Sequence, residues 1–290
     1  MSKVSYLGIG FIGLPMAVRL AKAGHDLQVW NRSKEKCAPV LAAGAKLAAD
    51  PAAAAAHAEV IMLCLTDAKA VEAVVFGERG IASVPGKGKL LVDHSSMRPD
   101  ATRDYAARLF AANGMKWIDA PVSGGVGGAE AGTLAVMCGG DPEDVARAQA
   151  LIAAYAQNIN RMGPVGAGQT TKLCNQLIVG SALCVIAEAV TLAQKSGVDA
   201  SMLAKALAGG WADSKPLQVF VPRMTGPDQP PIGAARTMLK DLDTALDLAR
   251  ETDTPLSVSG SALEMFRMMN ARGLGDADPS KLVELYGYLK

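Results

Sequence analysis

The sequence has 290 residues, more than a single hydrophobic core usually serves, so we expect two domains. Hydrophobic residues make up 50% of the chain and aromatic residues only 4%, a composition that excludes extended disorder and indicates aliphatic cores. The formal net charge of +1 excludes the strongly basic surface that nucleic acids and anionic membranes attract.

The first structural signal is a glycine-rich turn, GIGFIG, between an apolar strand predicted at residues 3–9 and a helical pattern that stops at Gly24. In such a turn backbone N–H groups and the positive end of the helix approach a pyrophosphate, and the third glycine allows close packing of helix and strand. A second strand at residues 27–30 completes the context, although a glycine turn without a ligand stays the alternative. We predict a dinucleotide site at Gly8, Gly10, Phe11, Ile12 and Gly13.

The end of the second strand selects the cofactor. An NAD site usually has Asp or Glu there to bind the ribose hydroxyls, whereas this chain has Asn31, Arg32 and Ser33. Arg32 suits stacking on adenine and binding a 2′-phosphate, with Asn31 and Ser33 as neutral donors. These residues favour NADP, with NAD as the alternative. The competing interpretation is that Ser33 caps a helix at residues 34–43 and Arg32 is solvated.

Strand and helix keep alternating after this point, which is typical of a doubly wound parallel sheet. Further strands are predicted at residues 60–65, 90–93, 117–120 and 134–138, and a helix at residues 144–156 closes this half. The end of the strand at residues 60–65 places Leu65 and Thr66 over the nicotinamide side of such a sheet. His94 follows the next strand, where a proton shuttle and a plain hydrogen-bonding role are both open.

A second glycine cluster occupies residues 121–129, PVSGGVGGA. So many small residues lose chain entropy and pack little, so a ligand or another backbone must approach them closely. Ser123 and the neighbouring amides suit a substrate carboxylate and hydroxyl. The alternative is a flexible surface loop.

One long helix is predicted at residues 168–197, joining a first domain at residues 1–163 to a helical second domain at residues 164–290. Residues 177–187 are apolar on all sides, so we expect that stretch to be buried all round. Lys172, Asn175, Gln176 and Glu188 interrupt the apolar run and argue against a membrane span.

Lys172 lies near the start of this helix, where we expect it to face the crevice between the domains. Reduction of an aldehyde by hydride requires a proton at the carbonyl oxygen, and a cationic donor there stabilises charge and acts as the acid. Asn175 and Gln176 share its helix face, and either amide suits a substrate hydroxyl. The alternative is an ordinary helix lysine whose amine reaches solvent.

Four motifs together resemble the β-hydroxyacid dehydrogenase family, which includes 3-hydroxyisobutyrate dehydrogenase, tartronate semialdehyde reductase and glyoxylate/succinic semialdehyde reductases. They are GIGFIGLPMA at residues 8–17, DAPVSGG at 119–125, GAGQTTKLCNQ at 166–176 and KDLDTAL at 240–246. The resemblance implies an α/β Rossmann domain followed by an all-α domain that commonly dimerises or tetramerises.

The resemblance also implies roles for residues. Lys172 would be the catalytic acid/base and Ser123, Gly124 and Gly125 would hold substrate. The residues around the dinucleotide would be Leu65, Thr66, Ser96 and Lys240. The Asn175-Gln176 pair is closer to tartronate semialdehyde reductases than to the Asn-Asn pair of 3-hydroxyisobutyrate dehydrogenases.

We therefore predict an NADPH-dependent oxidoreductase that interconverts a short semialdehyde and its hydroxyacid. An NAD-dependent 3-hydroxyisobutyrate dehydrogenase is the alternative, and a non-catalytic dinucleotide-binding sensor or scaffold is the alternative of another class.

The cysteines and the N-terminus bear on location. Five cysteines at scattered spacings, without a CxxC pair, predict reduced thiols in a cytoplasmic protein, and no signal-peptide pattern opens the chain. No cluster of His, Cys and Asp has the spacing of metal ligands, so no metal is expected.

Overall fold

The computed structural model describes residues 2–287, which divide into two compact units after Lys172. The division falls within a long helix rather than before it. The boundary predicted between residues 163 and 164 stays a prediction.

The first unit is built on a sheet that has nine strands among the described residues. The strands are Lys3–Leu7 (β1), Asp26–Trp30 (β2), Lys46–Leu47 (β3), Val60–Leu63 (β4), Leu90–Asp93 (β5), Lys116–Asp119 (β6), Val122–Ser123 (β7), Leu134–Gly139 (β8) and Ala156–Gly163 (β9). The helices are Gly13–Lys22 (α1), Ala38–Ala42 (α2), Pro51–His57 (α3), Ala68–Phe76 (α4), Pro99–Asn113 (α5), Gly125–Ala131 (α6) and Pro142–Ile152 (α7).

The sheet has the order β3-β2-β1-β4-β5-β6-β8-β7, with β9 paired to β8. All pairs from β3 to β6 are parallel, so their carboxyl ends lie at one edge, which is where doubly wound sheets bind ligands. The order of the strands reverses at β1. From there the chain runs to β2 and β3 on one side and then continues with β4, β5 and β6 on the other side. The glycine turn follows β1 at this point.

Alternate residues of the central strands point into two separate cores. On β4, Val60 and Met62 join the apolar cluster with α1 and α7, whereas Ile61 and Leu63 join the cluster with α3, α4 and α5. Both faces of the sheet are therefore covered by helices. This explains why these strands read as continuous apolar runs rather than alternating ones.

The structure corrects several details of the sequence prediction for this unit. The sheet is not wholly parallel, because β8 pairs antiparallel with β6 and β7. The helix predicted at residues 144–156 ends at Ile152, and β9 begins at Ala156. The helix predicted at residues 34–43 is a 3-10 turn, Lys34–Cys37, followed by α2.

The regular secondary structure of the second unit is helical in its described part. Its helices are the continuation of Ala167–Lys195 (α8), then Leu203–Leu207 (α9), Lys215–Thr225 (α10), Ala235–Glu251 (α11) and Ser257–Ala271 (α12), followed by a 3-10 segment at Pro279–Tyr286. Its core gathers apolar side chains of all these elements, among them Leu183, Val190, Val221, Leu242 and Phe266. The two predicted fold classes, α/β followed by all-α, are confirmed.

The long helix α8 has 29 residues and spans about 44 Å at 1.5 Å per residue. The expectation that its middle is buried on every side is wrong, since Ile178 is 72% exposed and Val185 is 57% exposed. By length and composition α8 is also apolar enough to cross a membrane. Its buried face, including Leu183 and Val190, packs into the core of the second unit, so it serves as a core helix there.

Candidate active site

The three glycines of the first turn have different surroundings, and the structural reason for a glycine differs among them. Gly8 has a φ of +105°, and a Cβ there would lie 2.2 Å from the backbone oxygen of Cys64. A Cβ on Gly13 would lie 2.1 Å from the backbone oxygen of Gly8. Around Gly10, in contrast, a Cβ would meet nothing within 4 Å. Two glycines are therefore required by packing, whereas the middle one faces open space, which suits the close approach of a ligand.

The N-terminus of α1, the helix that follows this turn, is not capped by a side chain. The N-cap residue Ile12 makes no side-chain cap hydrogen bond, and the first turn of α1 contains no acidic residue. The N–H groups of a first helical turn that have no intrahelical partner, together with the helix dipole, favour an anion there. Phe11 is 81% exposed beside the turn. The residues present fit the pyrophosphate of a dinucleotide.

The segment after β2 is fixed to the glycine turn by Asn31. Its Oδ1 accepts a hydrogen bond from Ile9 N at 3.0 Å, and its Nδ2 donates to Ser33 O at 2.8 Å. Arg32 between them is exposed. Ser33 makes no side-chain hydrogen bond to the following turn, so the capping role considered from the sequence is not found.

Three further residues predicted around the dinucleotide, Leu65, Thr66 and Ser96, follow the carboxyl ends of β4 and β5. Leu65 N donates to Ser95 Oγ at 2.9 Å, and Leu65 contacts the position where a Cβ on Gly8 would be. Ser96 follows Ser95 directly, and Thr66 is exposed beside Leu65. The structure therefore brings the first glycine turn, Leu65 and the segment containing Ser96 to one edge of the sheet.

His94 has a structural role. It is buried, and its Nδ1 lies 2.6 Å from Ala120 O, which can only accept, so Nδ1 carries the proton. Nε2, at 2.8 Å, then accepts from the hydroxyl of Tyr155. Burial lowers the pKa of His94 to about 4. A neutral imidazole with both nitrogens engaged fits the hydrogen-bonding alternative rather than the proton shuttle.

Two buried carboxyl groups lie at the same edge. Burial raises the pKa of Asp93 to about 7, and its Oδ2 has no hydrogen-bond partner among the described residues. Burial also raises the pKa of Asp119 to about 6, against the effect of hydrogen bonds from Gly166 N and Gln169 N. Part of this edge is therefore protonated near neutral pH.

The second glycine cluster is more ordered than a flexible loop. Val122 and Ser123 pair with β8, and residues Gly125–Ala131 form the short helix α6. Gly124 has a φ of +131° and Gly125 a φ of +65°, conformations that favour glycine. The turn thus presents Ser123, Gly124 and Gly125 in a defined backbone conformation.

The start of α8 is anchored by Asp119, the last residue of β6. Its Oδ1 accepts from Gly166 N at 2.7 Å and its Oδ2 accepts from Gln169 N at 2.8 Å. Lys172, three residues after Gln169, is half-buried. Sequence reasoning missed Asp119 and Gln169 as individual residues, although both lie inside recognised motifs.

A polar cluster in the second unit contains the remaining predicted residues. Gln176 is buried; its Nε2 donates to Asp241 Oδ2 at 2.7 Å, and its Oε1 accepts from Asn175 Nδ2 at 2.8 Å. Lys240 Nζ lies 3.2 Å from Asp241 Oδ1. Asp241 therefore binds both Gln176 and Lys240 through its two carboxylate oxygens. The sequence motif contained it but assigned it no role.

No group of three or more His, Cys, Asp or Glu side chains within residues 2–287 is arranged to hold a metal ion. The chemistry available at the described site is that of hydrogen-bond donors, a lysine and carboxyl groups around a dinucleotide turn.

Two family models cover nearly the whole chain. The model described as the NAD binding domain of 6-phosphogluconate dehydrogenase matches residues 3–163. The model described as NAD-binding of NADP-dependent 3-hydroxyisobutyrate dehydrogenase matches residues 166–286.

Individual relatives agree with these matches. The chain is 35% identical over 282 residues to 2-hydroxy-3-oxopropionate reductase of Escherichia coli (strain K12), covering 97% of this chain and 96% of the relative. A solved 3-hydroxyisobutyrate dehydrogenase from Salmonella typhimurium is similar with a TM-score of 0.90 at 27% identity, covering 97% of this chain and 99% of that one. Psf3 in complex with NADP+ and 2-OPP is similar with a TM-score of 0.90 at 25% identity, covering 98% and 99%.

The site geometry has the parts that a dinucleotide enzyme requires, and the matches extend over both units. The chain therefore belongs to the β-hydroxyacid dehydrogenase family and is an NAD(P)-dependent oxidoreductase.

Proposed function

We propose that the protein is an NADPH-dependent reductase of short semialdehydes, reversible as a hydroxyacid dehydrogenase, with Lys172 as general acid/base. The observation that carries this proposal is the carboxyl edge of the first unit. Leu65, which lies against Gly8 of the open glycine turn, donates from its backbone N–H to Ser95 Oγ, and Gln169 in the first turn of α8 donates to Ser95 O. Lys172 follows Gln169 by three residues in the same helix. A dinucleotide turn and a helix lysine at one sheet edge suit hydride transfer coupled to proton transfer.

The chemistry divides between cofactor and protein. When bound, the nicotinamide supplies the hydride for reduction of the carbonyl carbon and accepts it in the reverse direction. Lys172 donates the proton that the carbonyl oxygen gains and removes it from the alcohol in the oxidation. Ser123 and the backbone amides of Gly124 and Gly125 hold the substrate carboxylate. Asn175 or Gln176 binds the substrate hydroxyl.

NADP is proposed as the preferred cofactor because of the residues after β2. No acid is present there to repel a 2′-phosphate, and Arg32 is exposed beside Asn31, which fixes the segment to the glycine turn. The hydroxyl of Ser33 is not used as a helix cap, which suits a role toward phosphate. A similar solved structure, Psf3, holds NADP+.

The substrate we propose first is of the tartronate semialdehyde type. The E. coli relative at 35% identity is a 2-hydroxy-3-oxopropionate reductase. 2-Hydroxy-3-oxopropionate is another name for tartronate semialdehyde. The Asn175-Gln176 pair points the same way. A glyoxylate or succinic semialdehyde substrate uses the same site chemistry. A 3-hydroxyisobutyrate dehydrogenase using NAD remains the rival, and Arg32 argues against it.

The lysine role is tested by substitution within one helix. Lys172→Ala should lower kcat by a factor of about a hundred or more, the scale of general acid–base catalysis, with the Kd for NADPH nearly unchanged. Lys195→Ala is the matched control, because Lys195 is exposed in the last turn of the same helix. Wild-type turnover in Lys172→Ala would refute the assignment.

The cofactor preference has its own pair of variants. Arg32→Asp should raise the Kd for NADPH and leave the Kd for NADH equal or lower, since only the 2′-phosphate is repelled. Lys34→Asp, which changes an exposed cation two residues away, should alter both affinities little. Equal losses for NADPH and NADH in Arg32→Asp would contradict the phosphate role.

We also propose that copies of this chain associate as a dimer or tetramer. An exposed apolar face runs along α8 in the second unit, where Ile178 is 72%, Val185 57% and Leu192 69% exposed. Val258 on α12 is 71% exposed, and the hydroxyls of Ser181 and Ser259 lie 3.2 Å apart, so the two helices present one surface. Such a patch is typical of an interface.

The association is tested by light scattering after gel filtration. Val185→Glu should convert the assembly to smaller species, whereas Phe110→Glu, on an exposed apolar residue of the first unit, should not. A monomeric wild-type protein would refute the assembly. The cytoplasmic location and a small carboxylate substrate, without a nucleic-acid or membrane partner, stay predictions of the same account.

A further inference from the structure

The first turn of α8 contains a buried amide that the proposed chemistry does not use. Gln169 is 1% exposed. Its Nε2 donates to Ser95 O at 2.7 Å, and its Oε1 accepts from Met97 N at 3.1 Å. The two hydrogen bonds bracket Ser96, one of the residues predicted to lie around the dinucleotide.

The segment that Gln169 holds is itself fixed to the sheet. Ser95 N donates to Asp93 Oδ1 at 2.9 Å, and Ser95 Oγ accepts from Leu65 N at 2.9 Å. The segment Ser95 to Met97 is therefore attached to the ends of β4 and β5 on one side and to α8 on the other.

The backbone of the same helical turn is fixed by a different group. Asp119 accepts from the N–H groups of Gly166 and Gln169. Gly168 lies between them without space for a side chain, because a Cβ there would be 2.3 Å from Met137 O. The turn is thus fixed in position by Asp119, and the amide of Gln169 connects it to the cofactor side.

Lys172 lies three residues beyond Gln169, so both side chains leave the same face of α8. A rotation of the first turn would move both together. We propose that Gln169 is a positioning residue that couples the Ser95 to Met97 segment to the first turn of α8, so that Ser96 and Lys172 keep one relative placement. This inference rests on the proposed function of Lys172.

Only a side chain that both donates and accepts can make these two contacts. Met at this position keeps the volume and loses both hydrogen bonds. An ionised Glu loses the donor and sets a negative charge against Ser95 O, whereas a protonated Glu restores donor and acceptor. The charged groups around the site are the buried carboxyl groups of Asp93 and Asp119 on the neighbouring strands. The others are Arg98, which follows Met97 in the chain, Arg103, which approaches Gly166, and Lys172 in the next turn of α8.

The experiment compares Gln169→Met, Gln169→Glu and a matched control in the full-length protein. The control is Asn113→Leu, because the Asn113 amide likewise donates to a backbone oxygen, Val84 O at 2.9 Å, and accepts from a backbone N–H, Met115 N at 3.0 Å. Asn113 ends α5, immediately before β6, at the other edge of the sheet. For each variant kcat, KM, the Kd for NADPH by fluorescence and amide exchange at Met97 are measured from pH 5.5 to pH 8.5.

We expect Gln169→Met to lower kcat by a factor of about ten to a hundred, the effect of a misplacement of about 1 Å, with the Kd for NADPH changed less than about threefold. Met97 N–H should exchange faster. The ratio of kcat in Gln169→Glu to that of wild type should rise as pH falls and the introduced carboxyl group becomes protonated, whereas the ratio for Gln169→Met should stay flat. Asn113→Leu should lower stability without a selective loss of kcat.

Several results would overturn the proposal. They are unchanged kcat in Gln169→Met, an equal loss of kcat in Asn113→Leu at equal stability, or a kcat in Gln169→Glu that stays as low as that of Gln169→Met at every pH. Absence of turnover in wild-type protein would instead refute the proposed function. In that case amide exchange at Met97 decides the coupling by itself, since unchanged exchange in Gln169→Met would refute it.

Discussion

Substitution of Gly13 by Ala separates the packing role of the glycine turn from its binding role. The new Cβ would lie 2.1 Å from the backbone oxygen of Gly8, whereas ordinary contacts of this kind are 3.4–4 Å. The oxygen of Gly8 is a backbone atom and the new Cβ is attached directly to the backbone, so neither can rotate aside. The helix α1 must therefore move away from the turn by about 1 Å. Overpacking of this kind costs about 1–3 kcal/mol, and a backbone clash belongs at the upper end.

The assay for this prediction is thermal unfolding followed by circular dichroism. A loss of about 3 kcal/mol corresponds to a lowering of Tm by roughly 6–12 °C for a unit of this size. Gly10→Ala is the matched control in the same turn, because a Cβ there meets nothing within 4 Å. Its Tm should stay close to that of wild type, since an unobstructed surface substitution changes stability by about 0.5 kcal/mol or less.

Cofactor binding should single out the other variant, Gly10→Ala. Gly10→Ala should weaken NADPH binding, because the methyl group occupies the space that the dinucleotide requires. The reasoning about Gly13 would be refuted by a variant as stable as wild type. The reasoning about Gly10 would be refuted by full NADPH affinity in Gly10→Ala.

Two further predictions concern buried charges. Burial raises the pKa of Asp93 to about 7, against about 3.9 in the unfolded chain. The contribution of this group to the stability of the folded protein is therefore complete below pH 4 and is lost as the pH rises through 7. Asp93→Asn should therefore raise the free energy of unfolding at pH 8 by a few kcal/mol and not at pH 4, measured by urea denaturation; an equal change at both pH values would contradict this. In the second unit, Arg223→Met should cost about 3 kcal/mol, because it leaves Asp278 buried without its partner at 3.1 Å. Restoration of that loss by Asp278→Asn would support the ion pair, whereas a neutral Arg223→Met would refute it.

The sequence was sufficient where local patterns and the fold agree. The strands β1, β4, β5 and β6 were predicted within a few residues because most of their residues are buried and their sequences are largely apolar. In β2, which was also predicted, the buried Leu27 and Val29 alternate with half-buried residues. The caps of α3 and α4 are local signals of the same kind, since the Asp50 and Asp67 side chains accept hydrogen bonds from backbone N–H groups three residues later.

The parts that were missed depend on neighbours distant in the chain. β3 and β7 have two residues each, and β9 is mostly exposed, so none has an apolar pattern. The exposed face of α8 reads like its buried face, because both consist of aliphatic residues such as Ile178 and Leu183. Sequence alone gives the composition of such a helix but not which side is covered.

The candidate site was predicted at the level of motifs rather than of contacts. The motifs located Lys172, Gln176 and the glycine turns, but the hydrogen bonds of Asp119, Gln169 and Asp241 join residues far apart in the chain. No spacing rule in a single sequence encodes such pairs. The roles of the site residues themselves stay predictions until variants are measured.

The central claim is tested most directly by the change of absorbance at the reduced-nicotinamide band, with NADPH and NADH in parallel. The aldehydes are tartronate semialdehyde, glyoxylate, succinic semialdehyde and methylmalonate semialdehyde. The account predicts oxidation of NADPH in preference to NADH, with turnover of at least one of the first three and loss of that turnover in Lys172→Ala. Turnover of methylmalonate semialdehyde alone with NADH preferred, or cofactor binding without turnover of any of the four, would contradict it.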